Sequence, residues 1–143
     1  MQFISITLLF LLFSCNLLAN DFVSTKSNKI NMRTGPGFHY PVKWVYIRQN
    51  VPLKVMEEFE IWKKVCDINE DCGWIKGNLL SSKCYVMTKE DTTGYKKQNV
   101  NSSVTMKIDK FAVLKLEKCI DNWCLLSASK RKAWVQRQFL WGI

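Results

Sequence analysis

The chain has 143 residues, a formal net charge of +9, 48% hydrophobic residues and 13% aromatic residues. That length holds one ordinary domain or two small ones and excludes anything larger. The basic excess points to anionic partners (wall polymers, lipid headgroups or nucleic acid), although a solvated lysine-rich surface accounts for any single Lys.

The first twenty residues carry no charged side chain, and Phe3 to Phe13 is mostly Leu, Ile and Phe. This run is short for a membrane span, and Leu17-Leu18-Ala19 closes it with a small residue suited to signal peptidase. Residues 1–19 are therefore expected to be an export signal, with no transmembrane segment in the mature, periplasmic or secreted chain. Leu12-Phe13-Ser14-Cys15 also resembles a lipobox, with bulky Phe13 where a small residue is usual. A lipoprotein anchored at Cys15 is the lesser alternative.

After an alternating run from Lys29 to Arg33 comes a stretch with two glycines and two prolines, Gly35-Pro36-Gly37-Phe38-His39-Tyr40-Pro41. Gly reaches backbone angles that other residues avoid and Pro fixes φ, so this reads as a shaped loop between strands. Val42, Trp44 and Tyr46 alternate, followed by Leu53 and Val55, then Ile61, Lys63 and Val65. Short period-two runs broken by polar residues predict short antiparallel strands. No apolar stripe at helical spacing follows Ala19, so the fold is expected to be all-β.

The second half repeats the first in degraded form. Gly73-Trp74-Ile75-Lys76-Gly77-Asn78-Leu79-Leu80 matches Ala133-Trp134-Val135-Gln136-Arg137-Gln138-Phe139-Leu140, and Phe111 to Leu116 stands where Leu53 to Met56 stood. The two-glycine loop is missing from the second copy, replaced by Asn99 to Ser103. The expected organisation is an export signal (1–19), a first domain (26–82), a linker (83–94) and a degenerate second domain (95–143). Charge divides unevenly: residues 29–80 hold 8 basic and 6 acidic groups, residues 81–143 hold 12 and 5. Lys130-Arg131-Lys132 falls where a hairpin tip is expected.

Repeats this small need help to hold a core, and the six Trp and the cysteines can supply it. Cys119-Ile120-Asp121-Asn122-Trp123-Cys124 reads as a hairpin with a two-residue turn, which sets Cys119 opposite Cys124 at a separation a disulfide spans. Cys66 and Cys72 flank a five-residue loop and are expected to bridge likewise. Cys84 remains: buried, bridged to another molecule, or competing for Cys66 or Cys72.

No catalytic constellation is visible. No C-x-x-C spacing occurs and His39 is the only His, so neither a metal nor a cofactor is expected. A Cys nucleophile with a downstream His is absent, because His39 precedes Cys66 and every later Cys. Glu57, Glu58 and Glu60 have no partner in sight to tune them into an acid–base pair. Gly35-Pro36-Gly37 lacks the following helix of a phosphate loop.

The pattern Asn31-x-Arg33-x-Gly35-Pro36-Gly37-x-x-Tyr40-Pro41-Val42, with Trp44 and later Cys72-Gly73-Trp74-Ile75, resembles the bacterial SH3-like family, in the tandem form of exported alphaproteobacterial proteins. The resemblance runs from about Lys29 to the C-terminus. It implies two small SH3-like β-barrels in tandem, and paired cysteines around Trp123. It also implies a ligand groove beside the loop, with Arg33, His39 and Tyr40 on the rim and Trp44 and Trp62 on the floor, Trp74 being assigned to the core. Arg33 either touches ligand or holds the loop by bonding backbone carbonyls. The implied function is a non-catalytic exported module that binds peptidoglycan peptides or another envelope ligand. The alternative is a structural adaptor for an envelope protein. Specific nucleic-acid binding is not expected, since aromatics are not regularly interleaved with Lys or Arg.

Overall fold

A computed structural model describes residues 21–143. The expected export signal and Cys15 lie outside the described residues. Among the described residues fourteen strands form two sheets of seven. The first contains β1 (Phe22–Thr25), β2 (Ile30–Arg33), β3 (Val42–Tyr46), β4 (Pro52–Phe59), β5 (Trp62–Cys66), β6 (Cys72–Lys76) and β7 (Leu80–Ser81), in the order β3-β2-β6-β5-β4-β1-β7. The second contains β8 (Tyr85–Thr88), β9 (Thr92–Tyr95), β10 (Val104–Ile108), β11 (Val113–Ile120), β12 (Trp123–Ala128), β13 (Arg131–Gln136) and β14 (Leu140–Trp141), in the order β10-β9-β13-β12-β11-β8-β14. Adding seven to each strand of the first order yields the second, so the fold is all-β and the repeat is a repeat of topology.

The stretch 83–94, expected as a linker, instead carries β8 and most of β9, and only residues 82–84 separate the sheets. The first sheet likewise starts at Phe22, ahead of the expected boundary at 26. Alternation was not legible in Tyr85-Val86-Met87-Thr88 because the last three residues are all buried. β8 lies in the join between barrels, where both of its faces are covered.

One polar device recurs at the same place in each barrel. The Thr25 hydroxyl donates to the Arg48 carbonyl (2.8 Å) and accepts from the Val51 amide (2.9 Å). The Thr88 hydroxyl donates to the Asp109 carbonyl (2.6 Å) and accepts from the Ala112 amide (3.0 Å). Both threonines are fully buried, so each hydroxyl satisfies backbone groups that water cannot reach. Left-handed residues also recur in register: Asn50 and Phe111 ahead of the long strands, Glu60 and Asp121 in the following hairpin turns.

Ile30, Met32, Leu53, Val65 and Ile75 centre the first core; Val86, Leu114, Leu126 and Val135 centre the second. The cores abut. Met87 of the second sheet belongs to the first core, with Trp141 packed against it. The Trp141 ring meets Phe22 edge-on at 5.1 Å and its Nε1 donates to the Pro52 carbonyl (3.3 Å). The Ser24 hydroxyl donates to the Lys83 carbonyl, and Arg48 Nη1 donates to the Phe111 carbonyl (2.9 Å).

Both expected disulfides are formed, Cys66–Cys72 with Cα atoms 4.1 Å apart and Cys119–Cys124 at 4.0 Å. Cys119 pairs with Cys124 and Ile120 with Trp123, as the two-residue turn requires. No described cysteine is free, so Cys84 neither competes for this pair nor stands as a lone thiol.

Candidate functional site

The loop 34–41 between β2 and β3 owes its shape to aromatic packing on bare backbone rather than to unusual dihedrals. Neither Gly35 nor Gly37 has a positive φ. A Cβ on Gly35 would lie 2.5 Å from the Tyr40 ring, and one on Gly37 would lie 2.6 Å from the His39 ring. Glycine is needed there because rings occupy the space a side chain would take. His39 and Tyr40 then stack on each other, centroids 4.3 Å apart.

Arg33, at the end of β2, closes this loop. Its Nη1 donates to the carbonyl oxygens of Phe38 (3.2 Å) and Tyr40 (3.0 Å), so the loop-holding role is the one its contacts display. Tied in this way, the loop lays Phe38 over Trp62, edge-on at 5.1 Å. The Arg33 guanidinium and the Lys76 ammonium each sit 5.4 Å from the Phe38 ring centroid. Phe38 is 65% exposed whereas Trp62 is only 5% exposed. Trp62 belongs to the outer face of the sheet, in line with Lys76 of β6, and is buried because the loop covers it.

Trp62 also lines a depression of about 340 Å³ bounded by Glu58, Ile61, Lys63 and Lys76. The arrangement is an exposed ring on a buried indole, with cations on two sides and carboxylates at the rim. It can hold an extended chain carrying both apolar and carboxylate groups.

Arg33, His39, Tyr40 and Trp62 thus come together, with Phe38 as the link that the sequence reading passed over. Its legible signal was an apolar residue inside a Gly- and Pro-rich loop. Trp44 is placed elsewhere. It is 49% exposed on the edge strand β3 and lines a second depression of about 300 Å³, which includes Ile47, Arg48, Ile68, Met87 and Phe111 and so draws on both barrels. Trp74, assigned to the core, is half-buried on the outer face beside Arg33 and Lys64. Beneath β3, the Tyr46 hydroxyl donates to Asp67 Oδ2 (3.0 Å). Burial first, then the Asp67 charge and this bond, push the Tyr46 hydroxyl far above the usual phenol range.

Among the described residues no group of His, Cys, Asp and Glu side chains is placed to hold a metal ion. No described helix is long and apolar enough to cross a membrane.

Residues 26–82 and 95–142 each match the model of the family described as Bacterial SH3 domain. Among solved structures, the chain is similar to NlpC2 from Trichomonas vaginalis at 9% identity and a TM-score of 0.39, over 85% of this chain and 48% of that one. It is similar to NlpC1 from the same organism at 8% identity and a TM-score of 0.38, over 89% and 47% of the two chains. The chain thus spans about half the length of these structures. No curated protein matches.

Proposed function

We propose that this chain, which belongs to the bacterial SH3 domain family, is an exported module that acts by binding, through the Phe38–Trp62 face of its first barrel. Members of that family are binding modules. The disulfides fit an oxidising compartment outside the cytoplasm. The ligand class this face suits best is the short, carboxylate-bearing peptides of peptidoglycan. One observation carries the reading: an aromatic ring is held out to solvent by a loop that Arg33 has already tied down. Such preorganisation lowers the entropy a ligand must overcome. Lys76 and the Arg33 guanidinium would meet ligand carboxylates.

The test is co-sedimentation of the oxidised protein with purified sacculi across a salt series. Wild type should pellet at high salt, and Phe38→Ala should lose about tenfold or more in affinity while its unfolding curve stays unchanged. Pelleting that disappears with salt, or that Phe38→Ala leaves intact, would sink the assignment.

A second reading rests on a different observation. Edge strand β3 exposes Val42, Trp44 and Val45, and the depression beside it spans both barrels. An envelope protein docking there would make the chain an adaptor. Trp44→Ala would then abolish recovery of that partner while sacculus binding persists.

A further inference from the structure

We infer that the outer face of the second barrel is a separate binding surface for an anionic, carboxylate-bearing polysaccharide. This does not rest on the reading above, because it uses the other barrel and none of the residues around Phe38.

The inference starts from what lies opposite what. Across four adjacent strands, Tyr95 of β9 pairs with Trp134 of β13, Trp134 with Leu125 of β12, and Leu125 with Lys118 of β11. In the next row Lys132 pairs with Ser127, Ser127 with Lys115, and Lys115 with Tyr85. Period two puts all of these on the side away from the core, whose positions are Ala133, Val135, Leu126 and Cys124. The face therefore presents two parallel rows that mix aromatic rings and ammonium groups: Tyr95 and Trp134 lead to Lys118 in one, and Lys132, Lys115 and Tyr85 share the other.

The corresponding position of the first barrel is neutralised. There Lys64 pairs with Glu57 (3.2 Å); the other ion pair among the described residues, Lys63 with Glu58, belongs to the opposite side, where Cys119 and Cys124 stand in the second barrel. The counterpart of Glu57 is Lys118, and Lys64 has become Leu125. No described cation of the second barrel is in an ion pair, although residues 81–143 carry 12 basic groups against 5 acidic. Lys115, Lys118 and Lys132 are all exposed. Only Glu117 intrudes, where it accepts from the Ser127 hydroxyl (2.7 Å). A surface with more ammonium than carboxylate groups attracts an anionic ligand.

Geometry selects the class of anion. The first row runs across four neighbouring strands, so the face suits a chain laid across strands. Lys132 and Lys115 lie two strands apart, roughly 10 Å at the backbone. That separation matches acidic groups repeating along a sugar chain better than the closely spaced phosphates of a nucleic acid. A stacking platform for bases is also missing. Lys118 already sits 5.7 Å from the Trp134 centroid, and Tyr95 stands edge-on to Trp123 at 5.9 Å. Half-buried rings flanked by ammonium groups instead match a sugar's C–H face with a carboxylate beside it.

The experiment is titration of the oxidised full chain with polygalacturonate at physiological salt. Neutral dextran, duplex DNA and phosphatidylglycerol vesicles serve as parallel arms. Polygalacturonate should bind, and dextran should not. Lys115→Gln, Lys118→Gln and Lys132→Gln combined should weaken binding by about tenfold or more, Glu117→Gln should tighten it, and Phe38→Ala should leave it unchanged. All of these substitutions are at exposed positions, so the fold survives them. An unchanged affinity in the triple variant would overturn the inference. So would DNA or vesicles bound as tightly as polygalacturonate, since the surface would then recognise only charge.

Discussion

The two barrels solve the same topology with different chemistry, and the clearest case is where each places its disulfide. Cys66–Cys72 joins β5 to β6 on the outer face, at the base of the long turn 67–71. Asp67 also holds that turn, its Oδ1 accepting from the Asn69 amide (2.9 Å) and the Asp71 amide (3.1 Å). The second barrel turns between Ala128 and Arg131 in two residues, needs no such support, and has Ser127 and Lys132 where the cysteines stood. Its own bridge, Cys119–Cys124, lies on the inner side of the preceding hairpin, with Cys124 fully buried. The equivalent pair in the first barrel is the exposed Glu58–Lys63. One cross-link stands under a long turn and the other beside the core of its barrel.

The core swaps residues in the same spirit. Gly73 lies against Met32, and a Cβ there would come within 2.6 Å of Met32 Cγ. In the second barrel both facing positions are small, Gly94 lying against Ala133, and Met106 takes up the space beside Gly94.

The loops differ most. In the first barrel Arg33 and two ring-covered glycines hold out an aromatic. In the second, a loop of equal length knits itself together, the Asn101 amide donating to Asn99 Oδ1 (2.8 Å) and the Ser102 hydroxyl donating to the Asn99 carbonyl (2.8 Å). One loop is built to present a ring and the other simply to close.

These contrasts can be broken in order of expected size. Trp62→Ala should cost about 3 kcal/mol or more in urea unfolding, and Trp123→Ala distinctly less, because only Trp62 is buried beneath a loop residue. Equal costs would mean that the covering loop adds nothing. Replacing Cys119 and Cys124 together with Ala should cost about 2 kcal/mol from loop entropy, plus a cavity contribution from buried Cys124. Replacing Cys66 and Cys72 with Ser should show the loop contribution alone, and the ranking can be read from the two denaturation midpoints.

Tyr46 marks a pH contrast, since Ile108 takes its place in the second sheet. Its hydroxyl is shifted above the value near 10 of an unfolded chain, so the folded state keeps a proton that the unfolded state loses. The stabilisation is therefore complete below pH about 10 and declines as pH rises beyond it, by about 1.4 kcal/mol per unit. Tyr46→Phe should remove that slope; a slope that persists would place the titrating group elsewhere. The smallest effect expected is constructive. Glu58→Cys with Lys63→Cys should form a third described bridge, seen as a two-proton mass loss on oxidation, with a gain of about 1 kcal/mol or less over the ion pair it replaces.

Much of this was legible in the chain. The strand-by-strand alternation of Val42 to Tyr46, the match of Gly73–Leu80 to Ala133–Leu140 and the Cys119–Cys124 hairpin follow from local geometry alone. Arg33, His39, Tyr40 and Trp62 could be named from the chain and lie together in the structure, but Phe38 was hidden because it gains its place from a contact with Trp62, far along the chain. Trp44 stands apart from that group, since sequence proximity to the loop says nothing of which side of an edge strand it lines.

The sequence by itself determined the all-β class and the tandem repeat and set Cys119 opposite Cys124, because each depends on local spacing; the structure settled the pairing of Cys66 with Cys72. Only the tertiary structure decided that 83–94 holds β8 and most of β9, that the barrels share a packed join, and that Lys64 faces Glu57 where the second barrel sets Leu125 against Lys118. Those outcomes depend on which side chains meet across strands and between sheets, and no local spacing encodes that.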